Sequence, residues 1–297
     1  MTNSAIDPDL PAILATYALM AKVNDLGHWL GTLPAPLNKM KIMGDSGAFS
    51  ALHSGIEVDV DGYCEWLDRC DLNCYPCLDV IGDPVQTRLN WQEMRKRGYD
   101  PMPVIHGGAT TDHLKWYIDQ GATYIALGGL VGAPDERARW INDMMGVAFD
   151  AGVGLHGFGV TTRRDMTSFP WRSVDSSSWM SAGRFGACHV FDGVKLRSHM
   201  IDTGLRKGRG LTECQDAGYP VARILNGQVH WTELQRVAWA NWCKYATHIR
   251  RIQSRSGAPW TFTLYFAGMS QSYLHHIFGD VSYSKDGEIV EYHKQNQ

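Results

Sequence analysis

At 297 residues, 44% hydrophobic and 20% charged, the chain has the size and composition of a soluble protein with one large core or two smaller ones, not of a low-complexity polymer. No apolar run approaches the roughly 20 residues of a membrane-spanning helix. The start MTNSAIDPDLPAIL lacks the basic and apolar regions of a secretory signal, so a cytoplasmic location is expected. The formal charge of −3 conceals an asymmetry: residues 160–260 carry 15 Lys and Arg against 7 Asp and Glu, and the remainder 13 against 24. Such a segment is either a contact for a polyanion or a solvated basic face.

In chain order, strands are expected at residues 13–19, 41–44, 75–81, 103–105, 124–127, 153–158, 173–174 and 261–266. Many lack clean alternation, as strands buried on both faces do. Helices are expected between them at 60–70, 84–97, 111–120 and 135–151. Pro84 suits a first helical turn, and Gly98, Gly121 and Gly152 suit helix C-termini. This rhythm predicts a (β/α)8 barrel over 1–178 and 260–297, and the absence of an early GxGxxG disfavours a dinucleotide fold. Residues 179–259 break the rhythm. They predict an inserted, mainly helical, basic subdomain between the last two strands that crosses the barrel mouth and contains a long helix at 232–255. The seven cysteines are scattered and odd in number, which favours reduced thiols over a disulfide framework.

The stretch GDSGAFSAL at 44–52 puts a carboxylate at the end of a predicted strand. A turn would account for Asp-Ser-Gly by itself. Asp45, Asp79, His106 and Asp175, however, all fall at predicted strand ends, where barrel enzymes keep their working groups. Gly107-Gly108 and Gly128-Gly129 would let a ligand approach the main chain. Two carboxylates on a common space can divide nucleophilic and acid/base work at a glycosidic carbon. A glycoside hydrolase and a catalytically idle nucleic-acid-binding barrel are the readings of other classes.

DSGAFS resembles the DSGGFQ motif of the tRNA-guanine transglycosylases, (β/α)8 enzymes that exchange guanine for a 7-deazaguanine. PVIHGG, IALGGLVG and HGFGVTT resemble further segments of that family in the same order. LDVIGDP with SVDSSSW looks most like its shorter phage and bacterial relatives that act on DNA. The resemblance implies Asp175 as nucleophile at C1′ and Asp45 as general acid/base. It implies a base site of Ser46, Phe49, Asp79, His106, Gly128, Gly129 and Phe158, with the two Phe rings alternatively packing the core. The substrates implied are DNA, with tRNA as the alternative, and a free 7-deazaguanine such as preQ0. The biological expectation is phage DNA modification against restriction, in a host cytoplasm if phage-encoded.

Two features depart from the family pattern. His106 replaces a glutamine, which changes reach and introduces a titratable group. The zinc motif Cys-x-Cys-x-x-Cys with a distant His is missing; Cys188, Cys214, His230, Cys243 and His248 lie in the corresponding region without forming a tight ligand pair. No cofactor is expected for the chemistry itself, and zinc would be structural. The expected phosphate contacts are Arg163, Arg164, Arg206, Lys207, Arg209, Arg250 and Arg251.

Overall fold

The computed structural model describes residues 12–17, 26–31, 37–49, 58–130, 134–268, 281–283 and 289–292. Its strands are β1 (Ala12–Thr16), β2 (Lys41–Asp45), β3 (Val104–His106), β4 (Tyr124–Gly128), β5 (Gly154–Gly157), β6 (Ser173–Ser176), β7 (Ala187–Phe191), β8 (Leu196–Met200), β9 (Thr263–Phe266), β10 (Val281–Tyr283) and β11 (Ile289–Tyr292). Seven of them form one all-parallel sheet in the order β2-β1-β9-β6-β5-β4-β3. The helices are α1 (Leu26–Gly31), α2 (Val60–Asp68), α3 (Pro84–Lys96), α4 (Thr111–Asp119), α5 (Pro134–Asp150), α6 (Arg163–Ser168), α7 (Ser181–Phe185), α8 (Leu211–Asp216), α9 (Val221–Leu225) and α10 (Trp231–Gln253). The first strand starts one residue earlier than expected and stops at Thr16, before Tyr17, while Ala18 and Leu19 lie outside the described residues.

Alternation along these strands sorts side chains into two layers. Ile13, Ile42, Ile125, Leu155, Val174 and Leu264 pack outward into the main core with helix residues such as Trp66, Trp91, Leu114 and Met144. Ala12, Leu14, Met43, Met102 and Tyr265 form a smaller inner cluster flanked by Cys74, Tyr124 and Phe158. Cys74 Sγ lies 3.6 Å from Tyr265 Oη, although β2 and β1 separate their backbones. Only the concave side of a curled sheet permits that reach. The sheet therefore has an inside, and its floor is apolar.

The expected strand at 75–81 does not form. Asn73 N–H donates to Ile42 O and Gly44 N–H to Cys74 O on one side. Cys77 N–H donates to Met102 O and Met102 N–H to Tyr75 O on the other. Pairing stops at the isolated bridges Met43–Cys74 and Pro76–Met102. Pro76, Pro101 and Pro103 have no N–H to extend the ladder. The expected closed eight-stranded barrel is thus a curled seven-stranded sheet with an irregular segment at the eighth position.

The segment between β6 and β9 also differs from expectation. Its first half holds an antiparallel hairpin, β7–β8, turned by Asp192-Gly193, with Gly193 at φ 91° and Asp192 Oδ1 accepting from Val194 and Lys195 N–H. With α8, α9 and the start of α10 it encloses a separate core of Cys188, Val190, Leu205, Cys214, Tyr219, Ile224 and Leu234. The long basic helix exists as α10, but it does not cross the mouth. Gln235 Nε2 donates to Trp179 O just after β6, and Gln253 Nε2 donates to Phe169 O before it. The helix therefore runs back along the sheet as the crossover to β9. Its stripe of Trp239, Trp242, Cys243, Ala246 and Ile249 is buried in the main core, which is why it cannot leave the sheet for the rim.

Trp239 is fully buried against Trp179 and Phe266, with ring centroids 5.1 and 4.5 Å away. Trp239→Ala is predicted to cost about 3–5 kcal/mol of stability, read as a lowered urea midpoint. A loss below about 1 kcal/mol would contradict the placement of α10 in the core.

Candidate active site

Three polar strand ends, Asp45, His106 and Asp175, meet Asp79 of the irregular segment at the C-terminal rim of the sheet. β2 ends at Asp45, whose register partner on β1 is Thr16, and the Thr16 hydroxyl and Gly47 N–H both hydrogen-bond the Asp45 carboxylate. β6 carries Asp175, 8% exposed, with its Oδ1 accepting the Gly159 N–H at 2.8 Å. Gly159 sits at φ 66°, a conformation that glycine adopts without strain and that turns this amide toward the carboxylate.

Asp79 lies on the irregular segment rather than at a strand end. Asn90 Nδ2 donates to Leu78 O, and Val80 N–H donates to Thr87 Oγ1, so α3 anchors both sides of it. Asp79 is held by two donors: Ser46 Oγ at 2.7 Å on Oδ1 and His106 Nε2 at 2.9 Å on Oδ2. Ser46 is fully buried, with its hydroxyl on Asp79. With its Nε2–H on the carboxylate, a neutral His106 keeps a bare Nδ1.

These carboxylates feel one another. Burial, then the charge of Asp79, then that of Asp175, raise the Asp45 carboxyl from its ordinary value to about 7, against the opposing hydrogen bonds from Gly47 and Thr16. Three carboxylates within electrostatic reach, one of them holding its proton near neutrality, can supply an anionic group and a protonated group at the same time.

The glycines behave as close-approach positions. A Cβ on Gly107 would stand 2.7 Å from Gly129 O, and one on Gly128 would stand 3.0 Å from the His106 ring. Gly107 N–H donates to Gly128 O at 2.9 Å, so that carbonyl already has a partner. Phe158 is half-buried and meets the His156 ring edge-on at 4.6 Å, whereas Phe49 is 69% exposed.

The basic residues separate into groups. Arg163 and Arg164 open α6 just past β5; Arg163 Nε donates to Val194 O at the hairpin turn, and Arg164 is an exposed partner of Asp135 at 3.7 Å. Arg251 and Arg163 both depress the His248 imidazole, after burial, so they share one region of surface. Arg206 is engaged by Asp202 and Leu225 O, near Lys207 and Arg209. Arg250 donates to Phe262 O ahead of β9 and, after burial, lowers Lys41 at the start of β2, at the opposite end of the sheet from Asp45 and Asp175.

The anticipated zinc ligands do not converge. Cys188 and Cys214 hydrogen-bond each other in the second core, and that bond, with burial, holds Cys188 above its ordinary range. His230 caps α10, Cys243 is buried in the main core, and His248 packs on Phe191. Among the described residues no three His, Cys, Asp or Glu side chains are grouped to hold a metal. No helix among them is long and apolar enough to cross a membrane.

Sequence reasoning missed Thr16, His156, Ser173, Tyr124 and Gly159. His156 lies two residues before Phe158 in HGFG, so strand alternation alone would have placed it on the same face.

The Asp45 environment has a consequence for stability. An unfolded Asp releases its proton near pH 4, whereas the folded carboxyl keeps it to about 7, so the folded state is penalised progressively as pH rises through that window. Asp45→Asn is predicted to gain stability relative to wild type from about pH 4 to about pH 7, by up to a few kcal/mol, with no further gain above. Urea midpoints across that range test this; a difference independent of pH would contradict it. Searches of protein-family models and of curated proteins find no match to this chain.

Proposed function

We propose that the protein is a guanine transglycosylase that replaces guanine in DNA with a 7-deazaguanine base. The observation that carries this reading is the group Asp45, Asp79 and Asp175 at one rim, with the Asp45 carboxyl raised to about 7. In this reading Asp175 attacks C1′ of the target nucleotide, a bond forms from its carboxylate oxygen to C1′, and the C1′–N9 bond to guanine breaks. The departing guanine takes the proton of the Asp45 carboxyl and leaves it a carboxylate. The incoming base then loses its N9 proton to Asp45 while N9 attacks C1′ and the bond to Asp175 breaks. A group titrating near neutrality suits that alternation between acid and base.

Asp79 suits recognition of the base edge, because a carboxylate accepts from ring and exocyclic N–H groups, and Ser46 and His106 fix its orientation. Gly107 and Gly128 serve this site by letting the ends of β3 and β4 pack closely together, since a Cβ on either would strike Gly129 O or the His106 ring. Phe158 and Phe49 are the stacking surfaces, the second exposed at the rim. Extrusion of the nucleotide from a duplex costs a few kcal/mol, which phosphate contacts offset. Arg163, Arg164 and Arg251 suit that task, with Arg206, Lys207 and Arg209 on the hairpin side; the setting of Arg250 beside Phe262 O does not favour it. The choice of DNA over tRNA rests on the SVDSSSW resemblance.

Incubation of DNA with the protein and a panel of 7-deazaguanines, followed by mass spectrometry of the nucleosides, tests the proposal. Incorporation is predicted for wild type and should be lost in Asp175→Asn, with DNA binding retained. Incorporation by Asp175→Asn would remove that residue from the nucleophile role. Incorporation into tRNA but not into DNA would overturn the assignment of substrate. Arg163→Ala with Arg164→Ala is predicted to flatten the salt dependence of DNA binding by about one unit of slope per lost phosphate contact. An unchanged slope would place the nucleic acid elsewhere.

A further inference from the structure

His156 is fully buried on β5, and its two ring nitrogens have different surroundings. Nδ1 lies 2.6 Å from Ser173 Oγ, and that hydroxyl is also hydrogen-bonded to Tyr124 Oη. Nε2 has no hydrogen bond and stands 3.4 Å from Asp175 Oδ1. Residues on β4, β5 and β6 thus form a continuous chain across the inner face, ending at the carboxylate. Phe158 and Tyr265 wall the imidazole, and the Arg172 guanidinium lies 4.1 Å from the centre of the Tyr124 ring.

The Ser173 hydroxyl has one hydrogen to give and can accept two, so three arrangements are possible. In one, Tyr124 donates to Ser173, Ser173 donates to Nδ1, and the neutral imidazole carries its hydrogen on Nε2, facing Asp175. In the others, Nδ1 donates to Ser173, and either Ser173 donates to Tyr124 or Tyr124 donates to Ser173. The phenolic hydrogen in the former, or the Ser173 hydrogen in the latter, then has no acceptor among the described hydrogen bonds, and a bare nitrogen lone pair faces the carboxylate. Both features are costly where water is excluded. Burial also pushes the Tyr124 phenol up, which keeps its hydrogen in place to be donated.

We infer that the Tyr124–Ser173–His156 chain holds an Nε2–H against Asp175 Oδ1, making His156 a positioning residue that leaves Oδ2 as the attacking oxygen. The role of Asp175 in this statement rests on the base-exchange reading above; the position of the hydrogen does not. Gly159 N–H already engages Oδ1 at 2.8 Å, so both donors address the same oxygen. Holding one oxygen by two donors fixes the carboxylate plane and aims the other oxygen. At 3.4 Å the His156 contact is longer than a hydrogen bond, as contacts at such sites commonly are before substrate tightens them.

The test is long-range 1H–15N spectroscopy on protein labelled at histidine nitrogens, with His156→Gln to assign the signal. The expected spectrum shows a neutral ring protonated at Nε2. Protonation at Nδ1, alone or together with Nε2, would overturn the inference. Ser173→Ala and the milder Tyr124→Phe are each expected to reduce the Nε2–H population. In single-turnover trapping of the Asp175 adduct they should slow its formation about three- to tenfold, as loss of one hydrogen bond does, without changing DNA affinity. Variants that leave both the tautomer and the adduct rate unchanged would also overturn it. If wild type forms no adduct on DNA, the base-exchange reading fails, while the spectrum still decides where the hydrogen lies.

Discussion

Carboxylates gathered in a low-dielectric rim do not all ionise near pH 4, and this constraint organises the site. Asp45, Asp79 and Asp175 each have donors, yet the donors are unequal. Asp79 has Ser46 and His106, Asp175 has Gly159 N–H with His156 nearby, and Asp45 has Gly47 N–H and Thr16 but bears the repulsion of both neighbours. Burial, reinforced by that repulsion, therefore keeps a proton on Asp45 up to about pH 7. Division of labour between chemically identical side chains follows from environment alone.

The scaffold makes that environment by curling. In a flat sheet Cys74 could not reach Tyr265, nor Tyr124 reach Ser173 across β5. Curling brings alternate residues of strands distant in sequence onto one inner face, apolar at Leu14, Met43 and Tyr265 and polar toward the C-terminal ends. The long segment between β6 and β9 preserves the curl. It begins with a hairpin and a separate small core, and α10 then returns along the sheet with two tryptophans buried, so β9 is delivered parallel between β6 and β1.

Much of the architecture was legible because apolar runs and glycine stops mark the parallel strands locally. Asp45, His106 and Asp175 were visible as polar ends to such runs, and the structure puts them at C-terminal strand ends. What was not legible depends on partners far away in sequence. Residues 75–81 look like a strand, but whether they pair is decided by prolines on both sides of the ladder. The tryptophans of α10 look like part of a basic, aromatic surface, and only the sheet beneath them reveals core packing. The hairpin was missed because β8 is largely exposed and polar, although Asp192-Gly193 was a local signal for its turn. His156 was overlooked because its meaning comes from Ser173 and Asp175 on the next strand.

The coupling of Asp45 to its carboxylate neighbours is measured most directly by carbon-13 NMR titration of the aspartate carboxyl carbons, with Asp45→Asn to assign the signal. Asp45 should titrate at about 7 in wild type and fall when Asp175 is replaced by Asn. An Asp45 carboxyl titrating at the ordinary value near 4, unmoved by the loss of Asp175, would contradict the account.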